Sequence, residues 1–404
     1  MRIGINGLYL SADFKGGVNS FAFGLIDGFA RVGGAHEFTI FASPSNRKLF
    51  DKYENRQNFR LLEIDQSSYP RLRRCYHFLP WQIRCRLPSN LLNRLLSAPY
   101  AEIMTRQADV HFVPYCPPQL APFPDNPTVY SIHDLQHVHY PEFFTPEQHL
   151  ERKVQFEQCI EHAAAVQASS RYVRGDFLKH FPALDGDRVV VIREGVDIEA
   201  FQARRTIVDV KERYRLPDLF LFFPAQLWRH KNHITILRAL KRLGERNIKI
   251  PLVLTGARYE ASQDIFDFID QNSLDSQVFY LGIVPFEDLV SLYQGSRFLV
   301  MASLHESSSL PILEAAAAGT PIIASRTPSI EEMAEQLEMQ LFTPTDDKEL
   351  ADLLVAVWAD DALVRRQVEA NKTNIVRFSW DNSAHQYIEL FESLAGLLET
   401  THLQ

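Results

Sequence analysis

The chain has only four cysteines in 404 residues, Cys75, Cys85, Cys116 and Cys159, and the sequence brings no two of them close together. That spacing speaks against a zinc site or a disulfide scaffold, and it fits free thiols in a reducing compartment. No apolar run approaches the roughly 20 residues needed to cross a bilayer. Met1-Arg-Ile-Gly-Ile-Asn6 leads straight into a strand pattern rather than a leader. The expected location is cytoplasmic, with a peripheral place on the inner face of the cell membrane left open. Excess positive charge is missing too: 42 basic against 50 acidic side chains give −8, which argues against a general nucleic-acid binder but leaves room for local basic patches. Short repeats and low-complexity tracts are also lacking. What is present is a 46% hydrophobic content, enough for real cores. The length exceeds the usual size of one core, so two domains of about 150 to 200 residues are expected.

Short apolar runs alternate with helical patterns from the start. A strand at Arg2 to Asn6, a loop at 15 to 19, a helix from Ser20 to Val32 and a strand at Phe38 to Ala42 make a βαβ unit and imply a parallel sheet. Further strands are read at Asp109 to Val113, Thr128 to Ile132, Ala165 to Ala168 and Val189 to Ile192. A polar stretch near 200 to 217 interrupts the pattern, and a second βα series follows. Its strands are Leu219 to Phe223, Leu252 to Thr255, Val278 to Leu281, Phe298 to Met301 and Pro321 to Ala324. The fold class is therefore α/β, with two Rossmann-like, doubly wound parallel sheets and ligand sites at the carboxyl ends of their strands. Helical patterns at Asp347 to Trp358 and Asn382 to Leu398 close the chain.

Glu306 and Glu314 bracket the most informative stretch, His305-Glu-Ser-Ser-Ser-Leu-Pro-Ile-Leu-Glu314. It follows a buried strand. Ser308 or Ser309 offers an N-cap oxygen, Pro311 suits the first helical turn and Gly319 is a natural stop. One carboxylate thus lies in the loop and the other inside the helix, with unpaired N-terminal amides between them, an arrangement suited to a diphosphate flanked by hydroxyls. Lys231, beside Arg229, His230 and Asn232, follows another apolar strand and is a candidate cation for a departing diphosphate. Gly16-Gly17 after the first strand allows close backbone approach, or is merely a turn. The run His133-Asp134-Leu135-Gln136-His137-Val138-His139 follows a strand rather than a helix face, which weighs against a metal site. Asp185-Gly186-Asp187 reads as a turn, not a metal-binding pair. Between Ser67 and Gln107 seven arginines (71, 73, 74, 84, 86, 94, 106) oppose the single acid Glu102, giving +6. Interleaved aromatics make residues 67–107 either a membrane or lipid-linked acceptor surface or a solvated basic face.

Taken in order from Gly16 to Glu314, these motifs resemble a retaining glycosyltransferase of family 4 with the GT-B fold. Glu194-Gly195-Val196-Asp197 belongs to the set, and Ser131 to Glu142 and Phe223 to His233 are similar to its mannosyltransferase-like members. The resemblance implies an acceptor domain at 1–203, a nucleotide-sugar domain at 204–385 facing it across a cleft, and a last helix, 386–404, packing back on the first domain. It implies donor-diphosphate contacts at Gly16, Gly17, Lys231 and Asn232, and at the amides of Ser308, Ser309 and Leu310. His133 would contact the transferred sugar by backbone or ring, Glu306 would face that sugar, and Glu314 would accept from the ribose. The base would be held by backbone at Gly282-Ile283-Val284. Two departures stand out. The family carries an arginine where this chain has Gln226, so that Arg229 supplies the charge or one cation and the amides suffice, and Ser307-Ser308-Ser309 replaces the usual Gly-Phe-Gly. The implied reaction is retaining hexosyl transfer to a glycan or lipid-linked acceptor in cell-surface polysaccharide biosynthesis. It would need no metal and no cofactor beyond the nucleotide sugar, GDP-mannose first and a UDP-sugar next. Nucleic acid is not expected as a partner. The alternative is a non-catalytic, sugar-nucleotide-binding or scaffold member of the same fold, against which the two glutamates and Lys231 count.

Overall fold

The computed structural model describes residues 1–11, 16–65, 98–116, 124–203 and 207–401. Two compact units emerge, residues 1–195 with 380–404, and residues 196–379.

In the first unit seven strands, β1 (Arg2–Asn6), β2 (Glu37–Ala42), β3 (Phe59–Glu63), β4 (Val110–Val113), β5 (Thr128–Ser131), β6 (Ala165–Ala168) and β7 (Val189–Val191), pair in the order β3-β2-β1-β4-β5-β6-β7. Every pair is parallel; Ile3, for instance, lies opposite Phe38 on one side and Val110 on the other. Parallel strands need crossover helices on both faces, which explains why β4, β5 and β6 are buried at every residue. The second unit repeats the principle with β8 (Leu221–Pro224), β9 (Leu252–Thr255), β10 (Val278–Tyr280), β11 (Phe298–Met301), β12 (Ile322–Ser325) and β13 (Gln340–Phe342), all parallel, in the order β10-β9-β8-β11-β12-β13. The edge strands β3 and β13 were not expected. One carries charges at two of its five positions and the other has three residues, so neither makes the apolar run that marks a central strand.

The units divide at Gly195/Val196 and Ser379/Trp380, earlier than the expected 203/204 and 385/386. Hydrogen bonds explain the shift. Val196 N donates to Phe378 O at 2.8 Å, and Gln294 Nε2 donates to Phe201 O and Ala203 O at 2.8 and 2.9 Å. These bonds tie 196–203 to the second unit. The closing helix Trp380–Thr401 packs on the helix Gly17–Val32, which starts three positions before the expected Ser20 because Gly16 already serves as its N-cap residue. Phe391 joins Phe29 and Phe112 at ring separations of 6.0 Å, and the Tyr387 and Ser131 hydroxyls meet at 2.9 Å.

The thiols of Cys116 and Cys159 lie 3.4 Å apart, both free. A separation of 43 positions hides that proximity in the sequence. Cys75 and Cys85 fall outside the described residues, as does most of the basic segment. Its described end is the helix Ala98–Gln107, where Arg106 pairs with Glu102. No described helix is long and apolar enough to cross a membrane.

Glycine at the helix crossing is compulsory. A Cβ on Gly28 would sit 2.6 Å from the Trp380 carbonyl oxygen, a backbone atom that cannot rotate away. Gly28→Ala should therefore lower stability by about 1–3 kcal/mol. Gly175, exposed in the helix Arg171–His180, has nothing within 4 Å of a built Cβ, so Gly175→Ala should raise stability by about 0.5–1 kcal/mol. Thermal and urea denaturation of both variants check the opposite signs.

Candidate functional site

In an open parallel sheet, ligands bind outside the carboxyl ends of the strands where strand order reverses. In the second unit that point lies between β8 and β11; in the first it lies between β1 and β4. The candidate residues sit at or near these places: Lys231 follows β8, Glu306 follows β11 and Gly16 follows β1.

Lys231 Nζ and Glu306 Oε1 are 2.6 Å apart, with side chains only 17% and 10% exposed. A half-buried ion pair of this kind leaves an uncompensated charge if either partner is removed. Its two loops are bound to each other and to the sheet. Leu304 N donates to His230 O at 2.8 Å, Ser325 Oγ to Ser303 O at 2.6 Å, and Ser329 Oγ to Glu306 O at 2.6 Å. Asn232 is left-handed (φ 55, ψ 42), a conformation asparagine tolerates. Its Nδ2 donates to Ala302 O at 3.0 Å and Pro344 O at 2.7 Å, while Oδ1 accepts from Thr235 Oγ1 at 3.0 Å. That amide is the clamp that holds the lysine loop in place. Arg229 is exposed and has no ion-pair partner among the described residues. The Gln226 carbonyl accepts from Trp228 N at 2.7 Å. A side chain on Gly256 (φ 129) would stand 2.8 Å from Gln226 N, so the two loops need glycine to approach.

The helix Leu310–Ala318 begins after Ser309, carries Pro311 in its first turn and stops at left-handed Gly319 (φ 78). Ser309 is the N-cap residue, yet its buried hydroxyl donates to Met301 Sδ at 3.0 Å rather than capping the helix or facing a ligand. Ile312 and Leu313 donate back to Ser309 O and Pro311 has no N–H, which leaves the amides of Ser308, Ser309 and Leu310 without a protein acceptor among the described residues. These three retain the partial positive charge of the helix end. One turn further in, Glu314 Oε2 accepts from the Tyr293 hydroxyl at 2.6 Å. Burial pushes the Glu314 carboxyl up to about 6 despite that hydrogen bond. Beyond β10, Ile283 is 55% exposed and Val284 is partly buried, and Gly282 O is taken by Gly256 N at 2.8 Å. The backbone groups of Ile283 and Val284 thus remain for a planar ligand edge.

In the first unit Asn46 Nδ2 reaches Gly7, Leu8 and Leu10 carbonyls at 2.8, 3.3 and 2.7 Å, pinning the loop after β1. Gly17 opens the helix with nothing within 4 Å of a built Cβ. No contact among the described residues demands glycine there, and its small size keeps the helix end approachable. His133 Nε2 donates to Pro114 O at 3.1 Å, and Nδ1 stands 3.7 Å from Glu194 Oε1. Burial works against a charged ring here. The hydrogen bond and charge of Glu194 outweigh it and hold the pKa above the ordinary histidine value. Both ring nitrogens therefore face protein groups, which leaves the backbone and the ring edge for any ligand. His137 is buried among Phe144, Phe156 and His149, where desolvation lowers its pKa to about 4; His139 Nε2 meets Asp176 Oδ2 at 2.6 Å. The histidine run thus disperses onto three separate sets of partners, and no three His, Cys, Asp or Glu side chains among the described residues form a metal-binding group. Asp185-Gly186-Asp187 forms a 3-10 turn in which Asp185 caps Asp187 N.

Known families match both units. The model described as Glycosyltransferase Family 4 matches residues 15–200, and that described as Glycosyl transferases group 1 matches residues 205–374. The chain belongs to the family 4, group 1 glycosyltransferases. Among curated glycosyltransferases, D-inositol 3-phosphate glycosyltransferase of Corynebacterium urealyticum is 29% identical over 223 residues, 52% of this chain and 53% of that protein. The serotype-specific mannosyltransferase WbdA of Escherichia coli is 29% identical over 242 residues, 58% of this chain and 29% of that protein. The chain thus spans about half of the first relative and under a third of the second. O-antigen chain mannosyltransferase B of Escherichia coli is 23% identical over 271 residues, 66% of this chain and 70% of that protein. Anabaena HepE, solved with UDP and glucose, shares the fold at a TM-score of 0.71, 18% identity and 97% and 100% coverage of the two chains. Sucrose-phosphate synthase from Thermosynechococcus elongatus does so at 0.72, 18% identity and 98% and 99% coverage.

Tyr293 and Glu194 are the residues that sequence reasoning did not assign. Glu194 stood in a quoted motif but without a role. Tyr293 lies in an amphipathic helix, Phe286–Gly295, where it reads as core.

Burial raises the folded-state pKa of the Glu314 carboxyl from the ordinary 4.5 to about 6. The folded chain therefore binds the extra proton between those values, and its stability falls as pH rises through them. Above about pH 6 the desolvated carboxylate is a standing cost. Glu314→Gln should raise the melting midpoint at pH 7.5 and raise it less at pH 5. An equal shift at both pH values in a thermal scan would show that ionisation is not the source.

Proposed function

We propose that the chain transfers a hexosyl group from a nucleotide sugar to a hydroxyl of a glycan or lipid-linked acceptor, retaining the anomeric configuration. The observation that carries this reading is the Lys231–Glu306 pair at the strand-order reversal, beside the amides of Ser308, Ser309 and Leu310, with Glu314 one turn along the same helix. A diphosphate arriving at those amides competes with Glu306 for Lys231. As the ammonium turns to phosphate, Glu306 is released to accept from a sugar hydroxyl. Phosphate binding is thereby coupled to readiness for the sugar. Arg229 adds a second cation, without an ion-pair partner among the described residues, answering the neutral Gln226.

In the proposed front-side displacement the anomeric C–O bond to the diphosphate breaks as the acceptor oxygen bonds to the same face. The acceptor proton passes to a leaving phosphate oxygen. Lys231, Arg229 and the helix amides stabilise the negative charge that accumulates on the diphosphate, so this scheme assigns no step to a metal. Glu314 accepts from the ribose, and backbone at Ile283 and Val284 meets the base. Mannose is the first choice of sugar, supported by the two Escherichia coli mannosyltransferases, with GDP as its carrier. A UDP-sugar is next, supported by the UDP held by HepE. Cell-surface polysaccharide biosynthesis is the proposed setting, with peripheral membrane contact through the basic segment.

Melting midpoints measured against GDP, UDP, ADP and dTDP, with and without magnesium, test the donor class, since a ligand bound only by the folded state raises the midpoint. One nucleotide is expected to stand out with or without the metal; a flat response to all four removes the donor-site reading. Lys231→Ala should lower turnover by about 10²-fold while remaining folded, because the lost ammonium acts on charge that grows during bond breaking. Nucleotide binding with no turnover in the wild type would instead favour the scaffold alternative.

A further inference from the structure

Tyr293 reaches Glu314 from inside the core. It is fully buried in the helix Phe286–Gly295, edge-on to Phe222 of β8 at 5.0 Å and to Phe201 at 5.6 Å. Its carbonyl is held as well, accepting from Thr320 Oγ1 at 2.6 Å and Ser296 Oγ at 2.9 Å. Ring and backbone together leave the phenol one direction in which to point. Burial pushes that hydroxyl far above its ordinary pKa, so it stays a neutral donor. A buried phenol requires a hydrogen-bond partner, and the partner here is Glu314 Oε2 at 2.6 Å. The other carboxylate oxygen has none among the described residues.

An unrestrained glutamate has three side-chain torsions to order before it can bind anything, and that ordering weakens binding. The helix Leu310–Ala318 offers no help, since its remaining side chains are Leu, Pro, Ile and Ala. We propose that Tyr293 is a positioning residue for nucleotide recognition: its buried hydroxyl fixes one oxygen of Glu314 so that the other is presented to the vicinal hydroxyls of a ribose. This rests on the donor-site reading above and adds the element that preorganises it. The core reaches the ligand through a single carboxylate, and the same phenol keeps that carboxylate from turning away.

Titration calorimetry of the wild type and Tyr293→Phe with GDP and with UDP, and with the 2′,3′-dideoxy form of each, separates this role from core filling. Phenylalanine keeps the ring and its packing and removes only the hydroxyl. The expected result is about a tenfold loss of affinity for the ribose nucleotide, the scale of one hydrogen bond, with binding of the dideoxy form unchanged. In a Glu314→Ala background, Tyr293→Phe should then have no further effect. If the wild type binds the ribose nucleotide and Tyr293→Phe weakens both forms equally, or weakens neither, the inference is overturned while the donor site stands. Failure of the wild type to bind GDP or UDP overturns the donor-site reading, and this inference with it.

Discussion

Parallel pairing is the constraint on which the rest of this molecule depends. Two parallel strands cannot be joined by a tight turn, so each strand must run up through the sheet, leave at its carboxyl end and return by a crossover. All loops that follow strands therefore gather along one edge of each sheet. Where strand order reverses, the crossovers depart to opposite faces and the two loops part. In the second unit the loops that part are those after β8 and β11, and each carries one member of the Lys231–Glu306 pair. Their meeting at 2.6 Å follows from topology first and side-chain chemistry second.

That meeting is costly and needs support. Charges that are only 17% and 10% exposed have lost much of their hydration, and the Coulomb attraction repays it only when the geometry is held. The holding is done by groups outside the pair. Asn232 ties the lysine loop to the strand ends through Ala302 and Pro344, and Ser329 fixes the Glu306 carbonyl. The same division recurs around the other carboxylates. Tyr293 orients Glu314, while Glu194, with the Pro114 carbonyl, orients His133. Residues that bear charge towards the ligand edge are each held by a neighbour whose own work is structural. A change at one of those neighbours would reach the ligand without touching it.

Much of this was legible in the sequence, for reasons that can be named. Central strands announce themselves because both faces are buried, and Phe298-Leu-Val-Met301 can hardly be anything else. Pro311 and Gly319 fix the ends of the Glu314 helix through backbone geometry alone. The edge strands β3 and β13 were silent, since one face or one side is free of the pattern. The boundary near 200 was blurred because polar composition marks a surface and not a seam. Val196 and Phe201 belong to the second unit through bonds to Phe378 and Gln294 that no local pattern foretells. The resemblance implied ligand contacts at the Ser309 amide and at Asn232, and it was silent on what their side chains do. Their side chains are occupied by Met301 Sδ and by two carbonyls, far off in sequence or on other loops.

By itself the sequence determined which residue types stand at which strand ends: a lysine after one, a glutamate after another, a second glutamate inside the next helix. It determined the class of architecture and the family, because strand periodicity, helix caps and motif order are all local or linear properties. Only the tertiary structure decided which of those residues meet. Lys231 finds Glu306 across 75 positions, Tyr293 finds Glu314 from the core, and Cys116 finds Cys159. The physical reason is that propensity and periodicity act over a few residues, whereas a hydrogen bond or an ion pair depends on distance in space. That distance is set by how the strands are ordered in the sheet.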